Sequence, residues 1–193
     1  MSKKVLILSS SPRKGGNSDL LCDEFMRGAK ESGHDVEKIF IAQKKINYCM
    51  GCGVCNSTSK CVQHDDMAEI LDKMVSADAI VLATPIYFYS MDGQLKTLID
   101  RTVPRYTEIR NKDFYYIMTA ADTNKDMLKR TVEAIRGFTE DCLSGAKEKG
   151  IIYGSRSERV SMRRRWQEAR TTTHLSWSRM EALARRRTMQ AAF

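Results

Sequence analysis

The sequence contains no apolar run near the roughly 18 residues that a membrane-spanning helix requires. Its opening lysines precede only a strand-length apolar run, so a signal peptide is not expected either. Both common nucleotide fingerprints are missing, since neither G-x-G-x-x-G nor G-K-[ST] occurs. Histidine is scarce, and His34, His64 and His174 form no triad or metal pattern, so no acid–base catalyst is assigned. His64, beside Asp65 and Asp66, reads as a loop end with a helix cap. No internal repeat or low-complexity linker interrupts the 193 residues, which suffice for one domain with its own core. These absences describe a cytoplasmic domain. In that setting six cysteines point to thiol, metal or redox chemistry rather than a disulfide framework.

Lysine is missing from residues 156–193, which hold ten Arg and three Glu, whereas residues 1–155 carry 22 Lys plus Arg against 21 Asp plus Glu. Nearly all of the net charge of +8 therefore belongs to the last fifth of the chain. The abrupt switch to arginine suggests a change of reading frame near Ser155. A nucleic-acid arm, with Trp166 and Trp177 available to stack, ranks below a passive tail. The expected organisation is one domain over residues 1–154 and an arginine-rich tail over 155–193.

Within the first 154 residues, β-branched runs alternate with helical patterns, the rhythm of a parallel sheet covered on both faces. Strands are predicted at Val5–Ser9, Val36–Ile41, Ala79–Thr84, Phe114–Thr119 and Gly150–Tyr153. Helical spacing links Leu21, Phe25, Gly28 and Ala29. It also links Met67, Ile70, Leu71, Met74 and Val75, then Met91, Leu95, Leu98, Ile99 and Thr102, and finally Leu128 through Phe138 to Cys142. Cys22 and Cys142 fall on apolar helix faces and read as small core residues. The fold class is α/β, a doubly wound five-stranded parallel sheet with helices on both faces. In such a sheet ligands settle at the carboxyl edge of the strands, where strand order reverses. Four loops reach that edge: Ser9–Ser18, Asn47–Asp66, Pro85–Asp92 and Ala120–Asn124.

The first loop, SSSPRKGGNS, has the parts of an anion site. Backbone N–H groups in a tight turn precede the positive end of a helix dipole, and Ser9, Ser11 and Ser18 add hydroxyls. Arg13 could close over a phosphate, Asn17 or Ser18 could cap the helix, and Gly15 and Gly16 let the backbone turn. An ordinary serine-rich turn capping a helix explains the same letters. In the third loop Pro85 stiffens the strand exit, while Tyr87, Phe88 and Tyr89 offer faces to a flat ring, or else fill a core or a subunit interface. In the fourth, Thr123 or Asn124 would cap a helix.

Cys49, Cys52, Cys55 and Cys61 stand at C-x2-C-x2-C-x5-C, close to the compact spacing that wraps thiolates around a four-iron cluster. Gly51 and Gly53 allow the tight fold this needs. Redox-active thiols in a lid, or an all-cysteine zinc site, remain open readings.

Taken together, SSPRKGGNS, ATPIYFYSMDGQLKTLIDR and YCMGCGVCNSTSKC resemble the flavodoxin-like NADPH-dependent FMN reductase family, in its cysteine-bearing iron-sulfur flavoprotein branch. The resemblance covers residues 3 to about 154 and departs at Ser10, where many relatives have Gly, and in the tail. It implies a flavodoxin-like fold and an FMN phosphate at Ser9, Ser11, Arg13, Gly16, Asn17 and Ser18. The flavin ring would lie against Pro85, Ile86, Tyr87 and Phe88, with Ala120, Ala121, Asp122 and Asn124 on its far side. It also implies a [4Fe-4S] cluster on Cys49, Cys52, Cys55 and Cys61, and NAD(P)H as co-substrate. The expected function is an FMN-dependent oxidoreductase passing electrons to a quinone, flavin, nitro compound or redox partner. The alternative is an electron carrier between protein partners. With no second nucleotide fold, nicotinamide would bind over the flavin in a groove shared by a homodimer.

Overall fold

The structure is a computed structural model that describes residues 2–122 and 126–155. The Thr123 and Asn124 assignments, and the whole tail from residue 156, lie outside the described residues.

Strand β1 (Lys4–Ser9) is buried along all but its first residue, as a strand covered on both faces must be. It pairs in parallel with β2 (Asp35–Phe40) on one side and β3 (Ala79–Tyr87) on the other. Next to β3 comes β5 (Asp113–Ala120), then β6 (Lys147–Ser155), giving the order β2-β1-β3-β5-β6. A two-residue strand, β4 (Ser90–Met91), runs antiparallel to the end of β3. Counting only the parallel strands, this is the flavodoxin order, and the direction of winding reverses between β1 and β3. The loops that follow those two strands therefore flank the switch point, where sheets of this kind bind their ligands.

Helix α1 (Asn17–Glu31) covers one face, laying Leu21, Cys22, Phe25 and Ala29 on Val5, Ile7, Val81 and Ile117. Burial pushes the Cys22 thiol up to about 12, so it stays protonated and inert. On the opposite face α3 (Met67–Ser76), α4 (Gly93–Asp100) and α5 (Asp126–Thr139) meet Leu6, Leu8, Leu82 and Tyr116. A single turn, α2 (Cys55–Thr58), interrupts the cysteine loop. Among the described residues no helix is long and apolar enough to cross a membrane.

Several sequence expectations need correction. The third strand does not stop at Thr84 but continues through Pro85 to Tyr87, and the supposed loop Pro85–Asp92 is a tight hairpin. Met91 lies in that hairpin, and Thr102 lies beyond α4, its hydroxyl donating to Ile99 O at 2.8 Å. Ile41 leaves β2 to start a 3-10 turn. The last strand begins at Lys147, where a bulge opposite Phe114 and Tyr115 absorbs the extra length. Cys142 is exposed past the end of α5 and is not a core residue; its thiol donates to Gly137 O.

Candidate functional site

Ser9 ends β1 fully buried, and its hydroxyl, beside the Cys22 thiol, makes no hydrogen bond to a nitrogen or oxygen. Ser10 turns inward instead, its N–H and hydroxyl both donating to Ala83 O at 2.9 and 2.8 Å. That pair of bonds anchors the first loop to β3. Ser11 is buried and accepts from Arg13 N–H at 3.3 Å, while the Arg13 and Lys14 side chains stand in solvent.

Gly15 has φ +68°, the left-handed region that a side chain resists. A Cβ on Gly16 would lie 2.9 Å from Arg13 O, so only glycine fits that close approach. Neither Asn17 nor Ser18 caps α1, contrary to expectation: Gly16 holds the cap position, without a side-chain bond. The Ser18 hydroxyl pairs with Thr119 Oγ at 2.7 Å, tying the helix to the end of β5. The first helical bond runs from Leu20 N to Gly16 O, so the N–H groups of Asn17, Ser18 and Asp19 face out of the helix end. Asp19, which the sequence reading passed over, accepts from Gly15 N–H at 2.8 Å and from Lys38 Nζ at 2.8 Å. Lys38 also pairs with Asp23.

The hairpin stands beside this loop. Pro85 is buried opposite Thr119, Ile86 is half-buried, and Tyr87 is exposed. Phe88 and Tyr89 form its two-residue tip with φ of 48° and 65°, the type I′ geometry normally held by Asn-Gly. Phe88 is 99% exposed. The tip is braced by α5, where Thr131 donates to Tyr89 O at 3.1 Å and Arg130 lies 5.6 Å from the Tyr89 ring centre. At its base Thr84 accepts from Asp92 N–H at 3.0 Å and donates to Pro85 O at 2.8 Å. Asp92 caps α4 through Leu95 N–H, but its second oxygen is buried without a partner. Burial pushes its carboxyl up, opposed by Leu95 N–H, while the neighbouring Ser10 and Thr84 hydroxyls give their protons to Ala83 O and Pro85 O. Ala120, half-buried, ends β5, and Ala121 and Asp122 follow exposed. One sheet edge thus brings together Ser9, Ser11, Gly16, Ser18, Pro85, Ile86 and Ala120.

The cysteine loop leaves the same edge from β2. Cys49 and Cys52 are exposed, Cys55 and Cys61 are half-buried, and none is in a disulfide. Gly51 and Gly53 are left-handed, at φ 65° and 73°, and the loop folds so that all four cysteines line one small pocket. Among the described residues no group of three or more Cys, His, Asp or Glu side chains converges closely enough to hold an ion. His64 is exposed, and the capping acceptor at the start of α3 is Asp65, which receives Met67 N–H at 3.2 Å.

Asp65 also meets a residue the sequence reading did not single out. Arg101 forks onto its two oxygens at 2.7 and 3.0 Å, both side chains being almost wholly buried. Burial alone would raise the Asp65 carboxyl, but Arg101 and the N–H groups of Asn47 and Met67 outweigh it and hold it below the ordinary range.

A family model described as NADPH-dependent FMN reductase matches residues 3–133. An iron-sulfur flavoprotein of Methanocaldococcus jannaschii is 39% identical over 70% of this chain and 70% of its own length. An iron-sulfur flavoprotein of Archaeoglobus fulgidus is 44% identical over 52% of this chain, and the match spans 46% of that relative. Among solved structures, an NAD(P)H:quinone oxidoreductase from Methanothermobacter marburgensis superposes with TM-score 0.62 at 17% identity, covering 80% of this chain and 86% of that one. That likeness carries the fold.

Proposed function

The chain belongs to the NADPH-dependent FMN reductase family, and from that membership we propose that it is an FMN-dependent oxidoreductase driven by NAD(P)H. One observation carries the reading: the glycine-tight serine loop and the aromatic hairpin leave the same sheet edge, at the point where strand order reverses. The phosphate fits the first loop. The Ser9 hydroxyl has no nitrogen or oxygen partner, only the Cys22 thiol beside it, Gly16 leaves no room for a side chain, and three helix-terminal N–H groups face outward. Ser11, Arg13, Asn17 and Ser18 complete the binding set in this reading.

Held there, FMN would supply the hydride and electron-transfer chemistry that links reduced nicotinamide to an acceptor. The residues here bind and orient. Pro85, Ile86 and Tyr87 would hold one edge of the ring, Phe88 would bound the approach from solvent, and Ala120, Ala121 and Asp122 would close the far side. Quinones, free flavin, nitro compounds and redox proteins are the proposed acceptors, and a cytoplasmic homodimer is the proposed assembly.

A second reading is an electron carrier in which flavin and an iron-sulfur cluster exchange electrons. The gathering of Cys49, Cys52, Cys55 and Cys61 around one pocket favours it, as do the names of two relatives. The donor set suits a [4Fe-4S] cluster in chemistry and number. An absorption spectrum of anaerobically purified protein, with iron and acid-labile sulfide assayed on the same sample, tests both. Flavin bands are expected in either case. About four irons per chain would favour the carrier, and protein unable to take up FMN would overturn the proposal.

A further inference from the structure

Arg101 follows the last residue of α4, and its N–H ends the helix by donating to Thr97 O and Leu98 O, each at 3.1 Å. Its side chain is only 2% exposed, a degree of burial that arginine tolerates only when its donors are met. Nη1 donates to Asp65 at 2.7 Å and to Asn47 O at 2.6 Å, and Nη2 donates to Asp65 at 3.0 Å. Asn47 lies just before the first pocket cysteine and Asp65 just after the last, and Asn47 N–H also reaches Asp65 at 3.0 Å. One guanidinium therefore closes both ends of the segment that carries all four thiols.

One donor remains. The Nε–H of Arg101 is buried and unpartnered, Arg101 lines the cysteine pocket, and the Cys61 thiol lies beside the guanidinium. A buried donor without an acceptor is unfavourable, and an acceptor brought into the pocket would relieve it. Sulfur bound there, whether cysteinate or inorganic sulfide, is such an acceptor, and hydrogen bonds to sulfur help to set the reduction potential of iron-sulfur clusters.

We propose that Arg101 is a positioning residue of the cysteine pocket, whose fork closes the loop and whose Nε–H donates to a sulfur of an iron-sulfur cluster held there. The inference rests on the iron-sulfur reading of the pocket and adds a residue outside the cysteine motif. Lysine at this position keeps the charge that pairs with Asp65 but has neither the planar fork nor an Nε–H.

The test uses the full chain, purified anaerobically and reconstituted with ferrous iron and sulfide, with FMN content measured alongside. Arg101→Lys is expected to keep its FMN and most of its iron, while redox titration followed by electron paramagnetic resonance gives a lower cluster potential than in the wild type. Arg101→Gln combined with Asp65→Asn, which strands no buried charge, is expected to lose iron at least threefold at unchanged FMN per chain. Full iron in the double variant together with an unshifted potential in Arg101→Lys would overturn the proposal. Parallel loss of FMN and iron in both variants would overturn it too, since that is the mark of general unfolding. Wild-type protein that takes up no iron would remove the reading of the pocket, and this inference with it.

Discussion

The carboxylate of Asp19 holds the N–H of Gly15 at 2.8 Å, fixing the left-handed turn of the serine loop from inside the first turn of α1. Lys38 on β2, shared between that carboxylate and Asp23, offsets part of the negative charge beside the loop. Asp19→Ala should weaken FMN binding about tenfold, the equivalent of roughly 1.4 kcal/mol for one lost charge-assisted bond. Quenching of flavin fluorescence on titration measures this, and unchanged affinity would mean that the turn needs no such brace.

The hairpin tip places two bulky residues where glycine and asparagine are favoured. Phe88→Asn with Tyr89→Gly should therefore stabilise the fold by about 1 kcal/mol. Loss of the Tyr89 contact with Arg130 subtracts a few tenths from that gain. The same variant should slow NAD(P)H oxidation. Thermal melting and a turnover assay read the two effects separately, and a stabilised variant with unchanged turnover would remove Phe88 from the site.

Asp92 sits at the base of that hairpin, with one carboxylate oxygen unpartnered. Because its folded carboxyl titrates above the ordinary 3.8, the folded state binds the proton more tightly than the unfolded chain. The penalty is complete at neutral pH and eases as pH falls through the raised value. Asp92→Asn keeps an acceptor for Leu95 N–H and should add about 1 kcal/mol at neutral pH. Denaturant curves should show that gain shrinking in mild acid.

Asp65 behaves in the opposite sense. Its folded carboxyl lies below the ordinary 3.8, so its pairing with Arg101 is complete above that value and is lost only as pH falls through the depressed one. The loop from Asn47 to Asp65 should resist limited proteolysis in mild acid and become cleavable only in stronger acid. Cleavage already in mild acid would contradict the clamp.

The five parallel strands were legible because their buried β-branched runs alternate with helical stripes, and neither pattern needs tertiary information. The hairpin escaped notice for two reasons. A two-residue strand has no periodicity, and Phe88 and Tyr89 carry none of the letters that announce a type I′ turn. Cys142 misled because its spacing continues the apolar stripe of α5 past the point where the helix stops at Thr139. The serine and cysteine loops could be read as motifs, since their residues lie close together in the chain. Arg101 and Asp65 are 36 positions apart and each looks like an ordinary surface charge, so only the folded chain shows them as a buried pair. Asp19 had a visible signal, an acid in the first helical turn, but its partners come from the preceding loop and from β2.

The most direct test of an NAD(P)H-driven FMN oxidoreductase is anaerobic mixing of the FMN-loaded full chain with NADPH, and separately with NADH, while the visible flavin absorption is followed. The expected result is bleaching by at least one of the two within the time of a turnover, and recovery when a quinone is added. A bound flavin that stays oxidised with both nucleotides yet bleaches with reduced ferredoxin would contradict the enzyme and leave the electron carrier.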